Sequence, residues 1–236
     1  MDRITEQKRQ AGEYAASLIT DGMIVGLGTG STVKFFIEKL AERINREGLD
    51  IVGVTTSRQT SSLAKGWGIK LKSVDEVPAI DLTIDGADEV DANLDGIKGG
   101  GAALLFEKIV ALNSKRNIWI VDQSKYHEQL GQFPLPVEVV PYGSHQLLKR
   151  FEAADMAPTF RRLPDGQRLT TDAGNYIIDL HLEVIEHPQA LAYYLEQTIG
   201  VVEHGLFLNV ADAVIIGGEK LVIIERENVE NHWFYT

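Results

Sequence analysis

Apolar residues recur along this chain in two rhythms: a three-and-four spacing that marks helices, and short unbroken runs that mark buried strands. Over residues 5–19 the apolar or small positions are Ala11, Tyr14, Ala15, Leu18 and Ile19, one face of an amphipathic helix. Asp21-Gly22 breaks that pattern, and Met23-Ile24-Val25 reads as a buried strand running into Gly26-Leu27-Gly28-Thr29-Gly30-Ser31-Thr32. Val33, Phe36, Ile37, Leu40, Ala41 and Ile44 then return to helical spacing. The same reading places strands at 51–55, 69–74, 81–84 and 117–121, a helix over 57–65 and another helix beginning near Gly101. Strands alternating with helices predict an α/β fold with a doubly wound, mostly parallel, Rossmann-like sheet. Ligands of such sheets collect beyond the carboxyl ends of the strands, so the loops at 29, 85, 98 and 125 are expected to converge.

From about Phe133 the pattern changes. Strand-like runs at 137–140, 158–163, 176–184 and 201–208 interleave with helical segments at 144–154 and 188–198. That order, βαββαβ, is the ferredoxin-like arrangement. It predicts an inserted α+β domain over 133–206, with 1–132 and 207–236 forming the main domain; strands at 213–216 and 220–224 complete the main sheet.

Composition narrows the possible functions. A 236-residue chain that is 44% hydrophobic and 24% charged can build one large domain, or one domain with a small insert. A net charge of −11, with no cluster of Lys and Arg among aromatics, argues against a nucleic-acid surface. No apolar run approaches the ~20 residues of a membrane span, and the charged start MDRITEQKRQ lacks a signal peptide's apolar centre, so no membrane partner and a cytoplasmic location are expected. The absence of cysteine excludes thiolate catalysis and Cys-ligated zinc, and the six histidines show no metal-ligand spacing, so no metal site is expected.

Candidate chemistry concentrates in residues 81–111. Leu82-Thr83-Ile84 runs into Asp85-Gly86-Ala87-Asp88-Glu89, placing Asp85 and Asp88 at a strand's carboxyl end. Lys98 precedes Gly99-Gly100-Gly101 and a strongly helix-forming segment containing Glu107. A helix starting near Gly101 puts Glu107 on its second turn and on the apolar side, where burial raises a carboxyl pKa. The plainer alternative has Glu107 paired with a basic neighbour, Asp88 and Glu89 in solvent, and the glycines serving only to turn the chain. The loop 26–32 matches neither a dinucleotide fingerprint, because Ser31 stands where the last glycine belongs, nor a P-loop, because no Lys follows. Its hydroxyls and free amides at a helix start suit a phosphate, although Ser31 or Thr32 as a simple helix cap is the competing explanation.

These motifs, in order and at matching spacing, resemble type A ribose-5-phosphate isomerases over nearly the whole chain. The resemblance is carried by residues 25–32, 84–89, 97–103, Glu107-Lys108, 133–139 and 171–175. It implies interconversion of D-ribose 5-phosphate and D-ribulose 5-phosphate through a cis-enediolate, a step of the non-oxidative pentose phosphate pathway. It also implies no cofactor and a homodimer or homotetramer. Glu107 would be the base, with Asp85, Asp88 and Lys98 acting on the sugar. Lys8, Thr29, Gly30, Ser31, Thr32 and Lys125 would hold substrate and phosphate, together with Gly86, Ala87, Gly99, Gly100 and Gly101. Two local departures from the family pattern are Leu104-Leu105-Phe106 ahead of Glu107 and an extended end at 228–236, which bears on assembly. The alternatives are a sugar-phosphate-sensing module, which would need an attached DNA-binding element, and another sugar-phosphate enzyme of the same fold.

Overall fold

The computed structural model describes residues 2–226. The elements follow in the order α1 (Arg3–Ser17), β1 (Ile24–Leu27), α2 (Ser31–Glu47), β2 (Val52–Thr55), α3 (Arg58–Gly66), β3 (Leu82–Asp85), β4 (Glu89–Val90), β5 (Gly96–Ile97), α4 (Leu104–Leu112) and β6 (Asn117–Asp122). They continue with β7 (Leu135–Val139), α5 (Ser144–Ala153), β8 (Pro158–Phe160), β9 (Tyr176–Leu180), α6 (Pro188–Glu196), β10 (Val201–His204), β11 (Leu206–Phe207), β12 (Ala213–Gly217) and β13 (Val222–Glu225). The main sheet has the order β13-β12-β6-β3-β1-β2, parallel throughout except for the β12–β13 hairpin at one edge.

Side chains of β6 show why this sheet is covered on both faces. Ile118 and Ile120 join the layer beneath α1 and α2, whereas Trp119 and Val121 enter the opposite layer with Phe207, Val214 and Ile216. Helix α2 seats Val33, Phe36, Ile37 and Leu40 in the first layer, each large side chain contributing roughly 1.5–3 kcal/mol. From β1 the chain moves to β2 on one side and then to β3 on the other, so strand order reverses at the β1/β3 crevice, where doubly wound sheets bind ligands.

The smaller sheet is antiparallel, ordered β10-β7-β9-β8, and its chain order βαββαβ makes it ferredoxin-like. It has its own core around Leu135, Val137, Phe151, Ile178 and Leu195. A third sheet, β11-β5-β4, is built from two-residue strands that the apolar pattern does not announce.

Three expectations need correction. Residues 69–74 are not a strand: Leu71 makes one bridge to Gly53, after which Ser73 and Glu76 form a capping box that coils 74–76 into a 3-10 turn. The expected strand over 201–208 breaks at Gly205, where the chain passes from the small sheet to the third sheet. A Cβ there would lie 2.3 Å from the Lys98 carbonyl oxygen, so only glycine allows the crossing. The helix carrying Glu107 starts at Leu104, not near Gly101, because Gly99 (φ 107°) and Ala102 (φ 58°) hold a turn closed by the Ala102 N–H on the Gly99 carbonyl at 2.9 Å. Glu107 therefore sits in the first turn of α4. The extended end at 228–236 lies outside the described residues. Among the described residues, no helix is long and apolar enough to cross a membrane.

Candidate active site

Two glycine-rich bends meet at the β1/β3 crevice because the first is pulled onto Asp85. A Cβ on Gly28 would stand 2.0 Å from the Asp85 carboxylate, so its absence is what admits that side chain. Asp85 Oδ1 accepts the N–H groups of Thr29 at 3.0 Å and Gly86 at 2.7 Å. The Thr29 hydroxyl, expected to face substrate, is instead spent in a buried cluster with the hydroxyls of Thr56 at 2.7 Å, Ser57 at 2.9 Å and Thr60 at 3.2 Å. Helix α2 starts at Ser31 behind Gly30, whose φ of 125° is open to glycine, and no side chain caps it. Capping thus does not account for the Ser31 and Thr32 hydroxyls. Ser31 Oγ accepts Lys8 Nζ at 3.0 Å. Lys125 stands nearby in the 3-10 turn after β6, its ammonium 5.7 Å from the Phe133 ring centre. Lysine charge and unpaired helix amides share one corner, a setting for a phosphate.

The second bend holds a buried charge cluster. Lys98 Nζ lies 3.0 Å from Asp85 Oδ2, 3.1 Å from Glu107 Oε1 and 2.5 Å from the Gly86 carbonyl oxygen, with its side chain 2% exposed. Burial works against the ammonium, but the carboxylates of Asp85 and Glu107 outweigh it and hold the Lys98 pKa above the ordinary lysine value. Burial pushes Glu107 up to about 8, against the opposing pull of Lys98 and with help from the Asp85 charge. Its other oxygen, Oε2, is buried without a hydrogen-bond partner. Such an atom costs free energy until something meets it.

A cleft of about 130 Å³ joins the two bends. It falls below the ~300 Å³ at which drug-sized pockets begin and suits a small metabolite rather than a dinucleotide. Its lining is drawn from Lys8 and the 29–32 bend, from Gly86, Ala87 and Asp88 after β3, and from Lys98, Gly99, Gly100, Gly101, Glu107 and Lys125. Of the residues expected at the site, only Asp85 lies outside the lining, beneath Lys98. Asp88 Oδ2 accepts the Gly100 N–H at 2.7 Å. Among the described residues, no group of three or more His, Cys, Asp and Glu side chains could hold a metal ion.

Sequence reasoning missed the groups that brace this cleft. Glu89, expected in solvent by the plainer reading, is fully buried and accepts the N–H groups of Gly131, Gln132 and Phe133 at 3.0–3.2 Å. Lys108, beside Glu107, reaches Glu203 Oε1 at 2.6 Å and the carbonyls of His204 at 2.8 Å and Leu206 at 3.0 Å, tying α4 to the β10–β11 joint. Burial pulls its pKa down. Arg161, held by Asp179, donates to the glycine bend from the small sheet. Asp179 is a lone charge inside an apolar run, whereas Glu89, Lys108 and Arg161 each stand beside another charged residue and gave no such signal.

A buried carboxylate with a lysine at its side, opening onto the same cleft as a corner suited to a phosphate on a doubly wound sheet, is a setting for proton transfer on a small phosphorylated substrate. The family model for ribose 5-phosphate isomerase A (phosphoriboisomerase A) matches residues 52–221, and the chain belongs to that family. A ribose-5-phosphate isomerase A from Enterococcus faecalis is 60% identical over 212 residues, 90% of this chain and 94% of the relative. One from Bifidobacterium adolescentis is 58% identical over 210 residues, 89% and 90% of the two chains. A solved D-ribose-5-phosphate isomerase in complex with phospho-erythronic acid superposes with a TM-score of 0.92 at 39% identity, covering 96% of this chain and all of that one. The enzyme from Neisseria gonorrhoeae gives a TM-score of 0.85 at 38% identity, covering 95% and 98%.

Proposed function

We propose that Glu107 is the base with which this isomerase interconverts ribose 5-phosphate and ribulose 5-phosphate. The observation that carries the reading is its partnerless, buried Oε2 on a residue lining the cleft beside Lys98. The carboxylate takes the proton from C2 of the opened sugar and returns it to C1, passing through a cis-enediolate. Lys98 and the amides of the 99–101 bend stabilise the charge that grows on oxygen. Lys8, Ser31, Thr32, Lys125 and the start of α2 hold the phosphate. Ring opening falls to Asp88, which faces the cleft, while Asp85, with both oxygens engaged, holds Lys98 and the 29–30 bend in place.

Phospho-erythronic acid, bound by the solved relative, supports this reading: its carboxylate on a phosphorylated polyol has the planarity and charge of an enediolate. The sensing alternative is not favoured, since the matched relatives are isomerases over nearly their whole length. We also assign residues 133–206 to an inserted domain, supported by an apolar core built mostly from those residues, among them Leu135, Val137, Phe151, Ile178 and Leu195. The active form is a homodimer or homotetramer, supported by the outward-facing Tyr142 and Ile199 beside β7 and β10.

Incubating chelator-treated protein with ribose 5-phosphate in heavy water tests the reaction. Ketose carrying deuterium at C1 is the expected result, and failure to form ketose would sink the assignment. The pH profile tests the base. Because Glu107 must be ionised to act, and burial pushes it up to about 8, kcat/KM is expected to rise with pH through about 8. That lies above both the ~4.3 of a free glutamate and the ~6 of a phosphate monoester. A profile flat from pH ~6 upward would count against Glu107 as base.

A further inference from the structure

Arg161 follows β8 in the small sheet, yet its guanidinium reaches the glycine bend of the cleft. Nε donates to Asp179 Oδ2 at 2.9 Å and Nη2 donates to the other oxygen of the same carboxylate, a two-pronged ion pair. Nη1 donates to the carbonyls of Gly99 at 2.7 Å and Gly100 at 3.0 Å. Both side chains are 14% exposed, so the pair is largely shielded from the screening that weakens surface ion pairs.

Each of those carbonyls shares a planar peptide with the next residue's N–H, which points the opposite way. The Gly99 carbonyl belongs with the Gly100 N–H, and that N–H is the one given to Asp88 Oδ2 at 2.7 Å. One peptide is therefore gripped at its oxygen by Arg161 and at its nitrogen by Asp88. The Gly100 carbonyl stands in the same relation to the Gly101 N–H, on a residue that lines the cleft. Three glycines in a row have no side chains to select a conformation, and Gly99 is held at a φ of 107°. A cation on the oxygen also polarises the peptide and strengthens its N–H as a donor.

Resting on the isomerase reading above, we infer that Arg161, held by Asp179, is a positioning residue for the reaction. It orients and polarises the Gly99–Gly100 and Gly100–Gly101 peptides so that their N–H groups hold Asp88 and the enediolate oxygen. Arg161 touches no substrate; it acts through the backbone it fastens.

The test is steady-state kinetics on ribose 5-phosphate with Arg161→Ala and Arg161→Lys beside the parent. Losing a direct oxyanion donor costs about 10²–10³ in turnover, so loosening two donors from behind is expected to lower kcat about 10- to 100-fold in Arg161→Ala. KM should stay within about twofold, since Lys8, Ser31 and Lys125 still hold the phosphate. Guanidinium ion at non-denaturing concentration should restore part of the lost kcat. Arg161→Lys, with charge but no fork, should fall between Ala and the parent. A parental kcat in Arg161→Ala, or a loss that guanidinium does not restore and in which KM rises in step, overturns the inference. Should Arg161→Ala fail to fold, Arg161→Lys decides, with a lowered kcat at unchanged KM supporting the role and a parental kcat overturning it. An inactive parent overturns the isomerase reading and this inference with it, whereas an active parent with insensitive variants overturns only this one.

Discussion

Replacing Glu107 by glutamine is expected to leave a folded protein whose turnover of ribose 5-phosphate is about 10²- to 10⁴-fold lower, the usual contribution of a positioned base. The amide keeps the shape of the acid and an oxygen for Lys98, and Lys98 retains Asp85 and the Gly86 carbonyl, so the lysine keeps its partners. What is lost is the ability to take the C2 proton. The exchange of solvent deuterium into the sugar should fall with turnover. Stability gives an independent check. A folded pKa raised to about 8 means that the stability linked to protonated Glu107 is complete below the unfolded value of ~4.3 and is lost as pH rises through about 8. Glutamine cannot ionise, so Glu107→Gln should melt no lower than the parent at alkaline pH. Parental turnover in this variant would remove Glu107 from the mechanism.

Lys98→Met is expected to damage both fold and catalysis. Methionine fills much of the same volume but leaves Asp85 and Glu107 facing each other in the interior without a cation. Removing one member of a buried ionic group costs about 3–5 kcal/mol, which for a chain of this size lowers the melting temperature by about 10 °C. With no positive partner, Glu107 should hold its proton to still higher pH. The defect should therefore deepen as pH rises and ease as pH falls, the reverse of ordinary acid sensitivity. Turnover should drop about 10²- to 10³-fold from the loss of oxyanion stabilisation alone. A Lys98→Met protein that melts with the parent and turns over normally would show that the ammonium neither holds the cluster nor serves the reaction.

The α/β architecture was legible because long helices such as α2 bury a regular face and because β6 is apolar on both sides. The bends at 26–32 and 98–101 were legible because a backbone that passes this close to side chains has to be glycine. Less visible were features settled by contacts distant in sequence. β4, β5 and β11 are two residues each, too short for any period to register. The hydroxyl of Thr29 looks like a ligand for substrate until Thr56, Ser57 and Thr60 arrive from the next β–α unit to claim it. Asp85 and Asp88 looked equivalent in sequence, yet the β3 terminus turns one under the cleft and the other into it. Glu89 and Arg161 resemble ordinary surface charges until their backbone partners, about forty and sixty residues away, come into place.

The joint at Gly205 bears on how small a catalyst of this kind can be made. Its carbonyl receives the Lys98 backbone N–H at 2.9 Å, and the chain's outward path near 131–133 is fastened by Glu89. Both ends of the excursion through 133–206 are thus anchored next to the short strand that leads into Lys98. An engineer who spliced out that excursion to obtain a miniature version would unmoor Lys98 from behind, so any economy in length has to be sought on the far edge of the main sheet.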